Sequence, residues 1–275
     1  MLFREILVPV TMLSNDMSYF DKISRVTANL DTIITLYFST IAPEEILHTS
    51  AMGFVSGMEG EFIERQKNED DKIWNFLKEV CTKYPNFKAE RMVGKLSDTV
   101  IARSALSDLI MVDGKQMVQN PEIYKQAETT FISSRAPVMI LGKDNNSSVK
   151  NIAIAWNGSP QAARAVKAAL PFMRKAEKVS ILQLIRDGKT NKSGIFNPET
   201  LLNTLNRHDI KAEVIYDKQR TNDVAVDLLN LARKAQADTL VVGLYSTSRA
   251  QEVLFGGTSK TLLKKTDDLN MILSH

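Results

Sequence analysis

Residues 151–173 read NIAIAWNGSPQAARAVKAALPFM, and this stretch decides the fold. Asn151–Trp156 is a short apolar run carrying the β-branched Ile152 and Ile154. It ends at the polar, turn-forming pair Asn157-Gly158, as a buried strand does. Ser159 then suits an N-cap and Pro160 the first helical position, so Pro160–Met173 opens as an Ala-rich helix. A strand that runs straight into a helix begins a β-α-β crossover. Such crossovers build parallel sheets with helices on both faces.

The same succession occurs twice in the chain. Glu5–Val10 (EILVPV) matches Asn151–Trp156, and Thr32–Phe38 matches Val179–Ile185. Ser107–Val112 (SDLIMV) lies on Ala237–Val242 (ADTLVV), and Val138–Leu141 (VMIL) on Met271–Ser274 (MILS). Helical patterns fill the intervals. Phe62–Lys83 is long, charged and amphipathic, Asn197-Pro198-Glu199 opens its counterpart, and Asn222–Ala237 carries the stripe Val224, Leu228, Leu231 and Ala235. This is a drifted tandem duplication: two doubly wound α/β domains, flavodoxin-like or Rossmann-like, over residues 1–144 and 149–275. The polar connection Gly142–Ser148 is too short to separate them, so a pseudo-twofold pair within one chain is expected. Pro43–Gly60 and Arg186–Phe196 are expected to be surface loops, the first a candidate docking segment.

Composition narrows the function classes. With 44% hydrophobic and 24% charged residues, the 275-residue chain can build ordinary cores, which excludes a disordered or collagen-like protein. Lys and Arg number 35 against 32 Asp and Glu, with no basic run that suggests nucleic acid as a partner. Cys81 is the only cysteine, and His48, His208 and His275 lie far apart, so neither a disulfide nor a metal site is expected. The run Glu64–Lys72 reads as a solvated helix face, and Cys81 as a buried or half-buried filler. No membrane-length apolar run and no signal-like N-terminus is present, so a cytoplasmic protein is expected.

In open α/β sheets ligands sit beyond the carboxyl ends of the strands, where the strand order reverses. The second half supplies Asn157 after its first strand and Gly243-Leu244-Tyr245-Ser246 after its fourth. It then supplies Gly256-Gly257-Thr258-Ser259 before a helix running through Leu262 and Leu263 to Lys264 and Lys265. Paired glycines followed by a helix N-terminus make a plausible phosphate cradle. No G-x-S-x-G, H-E-x-x-H, Walker A or G-x-G-x-x-G motif accompanies it, and Ser159 is accounted for as an N-cap.

The spacing Gly243-x2-Ser246-x9-Gly256, with AWNGSPQAARAVKAALP and DTLVVGLYSTSRAQEVLFGGTSKTLL, resembles the universal stress protein family. Its nucleotide-binding members carry G-x2-G-x9-G-[S/T]. The resemblance implies tandem adenine nucleotide alpha hydrolase-like domains. It also implies a stress-response or regulatory role and one ATP or AMP site per chain, in the second domain, formed by Asn157, Leu182, Gly243, Ser246, Gly256, Gly257, Thr258 and Ser259. Three departures make that site degenerate: Ser246 replaces a glycine, Gly257 a serine, and Asn157 an aspartate common in the family. A nucleotide-free interaction scaffold and a weak ATPase switch are the alternatives. Family dimers join by their fifth strands, so Val138–Leu141 and Met271–Leu273 are expected to pair antiparallel, and a homodimer of the whole chain is expected over a monomer. In the first half Asp113 stands at the fourth strand's end, and no glycine lies between Lys115 and Leu141. Asn120–Lys125 takes the place of the glycine loop there, so this half is expected to be a structural partner. Gly114→Val is expected to leave binding untouched.

Overall fold

The computed structural model describes residues 3–11, 16–42, 59–134, 136–142, 148–185, 197–244, 262 and 269–274. In chain order these form β1 (Glu5–Val10), α1 (Met17–Thr27), β2 (Ile33–Thr40), α2 (Glu59–Lys83), β3 (Phe87–Val93), α3 (Leu96–Ser104), β4 (Leu109–Asp113), α4 (Gly114–Gln119), α5 (Pro121–Ser134) and β5 (Val138–Leu141). The chain continues with β6 (Asn151–Ala155), α6 (Pro160–Met173), β7 (Lys178–Ile185), α7 (Pro198–Asn206), β8 (Glu213–Lys218), α8 (Val224–Lys234), β9 (Thr239–Gly243) and β10 (Asn270–Ser274). Both loops singled out in the sequence, apart from Glu59 and Gly60 in the first turn of α2, lie outside the described residues.

All ten strands join one sheet in the order β3-β2-β1-β4-β5-β10-β9-β6-β7-β8. Each half repeats one order, and every pairing is parallel except the seam. There β5 and β10 run antiparallel, with Met271 opposite Ile140, Ile272 opposite Met139 and Leu273 opposite Val138. The seam turns what would be the exposed edge of either half into a paired interior strand.

The duplication is visible in individual hydrogen bonds. Asp108 Oδ2 accepts the Arg4 and Glu5 N–H groups at 2.7 and 3.1 Å, while the Asp108 N–H donates to Glu5 O at 3.0 Å. Asp238 repeats this with Lys150 and Asn151 at 2.8 and 3.2 Å, and its N–H donates to Asn151 O at 2.9 Å. One carboxylate thus ties the start of the first strand to the start of the fourth in each half. Asn270, 1% exposed, holds the junction. Its Oδ1 accepts the Gly142 N–H at 3.0 Å and its Nδ2 donates to Ser148 O at 2.8 Å.

Strand side chains alternate between two apolar layers. Ile152 and Ile154 lie with Phe20, Leu77, Ala165 and Leu205 under α1, α2, α6 and α7, while Ala153 and Ala155 lie with Phe131 and Leu229 under α5 and α8. Phe3 packs edge-on against Phe172 with centroids 5.6 Å apart, which joins the halves a second time. In α8 the buried positions are Ala225, Asp227, Leu229, Leu231 and Ala232, and Ala235 is buried just past its end. Of the expected stripe, Leu231 and Ala235 are buried, whereas Val224 and Leu228 are half-buried. Within Asn120–Lys125, Pro121 begins helix α5.

Candidate functional site

The chain passes from β6 outward to β8 and returns to β9 on the other side of β6, so the second half's order reverses between β6 and β9. The first turn of α6 lies at this point. Ser159 Oγ accepts the Ala162 N–H at 3.1 Å, as its N-cap role requires, and Asn157 Oδ1 accepts the Ser159 N–H at 3.0 Å. Gly158 between them takes φ +75°, a conformation that favours glycine.

Gly243 ends β9 directly beneath this turn. A Cβ there would stand 2.2 Å from Ala162 N and 2.5 Å from Gln161 C, so close helix-on-strand packing already requires the glycine. Leu182, beside the end of β6, is 1% exposed and its side chain belongs to the core under α8. Its carbonyl accepts the Trp156 N–H at 3.3 Å, and Gln183 Nε2 donates to Trp156 O at 2.7 Å. Asn157, Leu182 and Gly243 thus gather around the ends of β6, β7 and β9. Ser246, Gly256, Gly257, Thr258 and Ser259 lie outside the described residues, as does the helix expected after them apart from the buried Leu262.

The corresponding point of the first half is filled. Asp113 stands where β9 has Gly243: it pairs with Leu141 on β5 as Gly243 pairs with Ser274 on β10. Its carboxylate accepts the Lys115 N–H at 3.0 Å and caps α4. Burial pushes the Asp113 acid above its ordinary value, against the opposing pull of that N–H and of Lys22 and Lys115. Tyr19 is buried beside it, its hydroxyl held well above the usual range by burial and by the Asp113 charge. Thr11 Oγ1 donates to Gln116 Oε1 at 3.3 Å. Thr11, Tyr19, Asp113 and Gln116 leave a cavity of about 50 Å³, far too small for a nucleoside. Gly114 is not silent: its Cβ would stand 2.4 Å from Leu141 O, so Gly114→Val disturbs the β4–β5 junction itself.

Two readings outside these points also meet the structure. Cys81 is half-buried against the core, its thiol pushed up by burial, as a filler should be. The solvated-face reading of Glu64–Lys72 fails at Asp70, which is 5% exposed. Its signal was present in the sequence: Asp70 falls in the helical stripe with Ile73, Leu77 and Val80, all buried. Among the described residues no group of His, Cys, Asp and Glu is placed to hold a metal ion, and no helix is long and apolar enough to cross a membrane.

No family model matches this sequence, and no curated protein is significantly similar to it. Solved structures resemble it in fold. A universal stress protein from Archaeoglobus fulgidus DSM 4304 aligns with 99% of this chain and 97% of its own at a TM-score of 0.73 and 15% identity. A functionally unknown protein from Pseudomonas aeruginosa PAO1 aligns with 99% and 92% at 0.58 and 12%. The two halves and their seam define a tandem α/β architecture. Its full length has the universal stress protein fold.

Proposed function

We propose that the chain is a cytoplasmic tandem universal stress protein, a stress-response or regulatory module that acts by binding, with domains over residues 1–144 and 149–275. A degenerate site in the second domain takes one ATP or AMP. The phosphates lie against Gly256, Gly257, Thr258 and Ser259, the adenosine lies near Asn157 and Leu182, and Ser246 weakens affinity. The observation that carries this reading is the contrast between the two reversal points. A half-buried carboxylate, Asp113, stands in the first where an uncharged glycine, Gly243, stands in the second. At an effective dielectric near 20, a carboxylate about 4 Å from a phosphate costs on the order of 4 kcal/mol.

A nucleotide-free scaffold is the second reading. Two observations favour it: Gly243 is already required by α6, and Asn157 Oδ1 is already engaged by Ser159. A homodimer is proposed for either reading, so that two chains present paired surfaces to a protein partner. Native mass spectrometry and calorimetry with ATP and AMP separate the two. One nucleotide per chain, lost in Gly256→Val, supports the first reading; no nucleotide supports the scaffold; two equivalent sites overturn both.

A further inference from the structure

The sheet ends in β3 on one side and in β8 on the other, and each pairs with one neighbour alone. Along β3 the backbone groups point alternately inward and outward. The Gly94 N–H donates to Thr40 O at 2.8 Å and Asn86 O accepts the Ile34 N–H at 2.9 Å, so the even-numbered positions face β2. Phe87, Ala89, Arg91 and Val93 therefore turn their N–H and C=O groups to the open side, a template for a further strand. Lys88, Arg91, Met92 and Val93 are exposed, Val93 by 62%, so this edge is open to solvent. On β8 the odd-numbered positions face inward, since the Gln219 N–H donates to Ile185 O at 3.0 Å, and Tyr216 lies on its open side.

Two copies can close on such an edge only about a twofold axis, because joining β3 of one copy to β8 of the next leaves free edges and grows a filament. A twofold antiparallel join keeps each side chain on its own face of the sheet. Side chains alternate between the faces, so the residues that meet are both odd-numbered or both even-numbered. In β8 the acids Glu213 and Asp217 are odd and the base Lys218 is even, so no twofold register sets unlike charges together. In β3 Lys88 and Glu90 are both even, and a register centred on Ala89 sets Lys88 of each copy against Glu90 of the other. Both groups are available. The Glu90 side chain is 43% exposed although it accepts from Arg103 at 2.8 and 3.1 Å, and Lys88 forms no ion pair among the described residues.

We propose that two copies of this chain join edge to edge through β3, antiparallel about Ala89, into one sheet continuous across both molecules. In that register Ala89 exchanges hydrogen bonds with Ala89 of the second copy and Phe87 with its Arg91, as the outward N–H and C=O groups require. Lys88 meets Glu90 at the closer, non-hydrogen-bonded spacing, with Cα atoms about 4.5 Å apart. Met92 and Val93 fall opposite Asn86 and Pro85 of the second copy and lose exposure. The inference rests on the homodimer proposed above and supplies its surface.

Sedimentation of the full chain at micromolar concentration tests it, with a dimer expected for the parent. Ala89→Pro removes an outward N–H where an edge strand accepts proline, and is expected to shift the chain to monomer. Tyr216→Pro makes the same change on β8 and is expected to leave the dimer intact. Lys88→Glu sets like charges across the join and is expected to weaken the dimer at least about tenfold. Its exposed position makes it the second test if Ala89→Pro does not fold. Ala89→Cys in a Cys81→Ser chain is expected to give a disulfide-linked dimer on oxidation, because Cα atoms of a hydrogen-bonded antiparallel pair stand about 5.5 Å apart. A monomeric parent overturns this inference and the homodimer together. A parent dimer undiminished by a folded Ala89→Pro or Lys88→Glu protein, or lost in a folded Tyr216→Pro protein, overturns the β3 join while the homodimer stands.

Discussion

Asp113 and Gly243 occupy matched strand ends and carry opposite consequences. Gly243 leaves room for a helix turn, whereas Asp113 caps α4 with a carboxylate whose burial raises its acid above the ordinary 3.8. The native protein therefore binds that proton more tightly than the unfolded chain does. The resulting penalty is present in full at neutral pH, shrinks as pH falls through the native value, and is gone below 3.8. Asp113→Asn keeps an N-capping oxygen and removes the charge. It is expected to raise Tm by about 2 °C at pH 7, with the gain fading toward pH 4, as scanning calorimetry at both values will read. A loss of stability at pH 7 would show that the attraction of Lys22 and Lys115 outweighs burial. The sequence shows an acidic residue at this strand end; that it is half-buried and caps α4 is decided by the fold.

Helix α6 is the element most fully legible in the sequence, because its cap and its first-turn proline are local signals. What it crosses is not local. Its first turn rests on Gly243, about eighty positions away in the chain, and any side chain there meets backbone that cannot turn aside. Gly243→Ala is expected to cost about 3 kcal/mol, the upper end of ordinary overpacking, read as a lower urea midpoint. An unchanged midpoint would mean that α6 can lift from β9. Strands β3 and β8 lie at the opposite limit of legibility. As the outer strands of the sheet they expose much of their length, including Met92, Val93 and Tyr216, so no regular apolar alternation marks them. Edge strands pack on fewer neighbours, and their sequences are correspondingly less constrained.

Across the molecule, the seam makes one ten-stranded sheet from two five-stranded halves. The backbone pairing of β5 with β10, the Gly142–Asn270 hydrogen bond and the Phe3–Phe172 contact all bridge the halves without needing the covalent link. A protease site placed within residues 143–147 and then cut is therefore expected to yield halves that co-elute in size-exclusion chromatography and separate only in denaturant. Halves that part in native buffer would show that the connection, rather than the seam, holds the molecule together.

By itself the sequence determined the elements whose signals are local: apolar strand runs, caps, and the repetition that makes two like domains. It also carried the Asp70 stripe, hidden by the charged residues around it. Only the tertiary structure decided which polar groups lost water. Asp70 became the wall of a cleft, Asp113 filled one reversal point, and Gly243 was drawn under α6 at the other. The physical reason is that hydrogen-bond and torsional preferences act over a few residues, whereas burial and close packing are set by segments that meet only after the chain has folded.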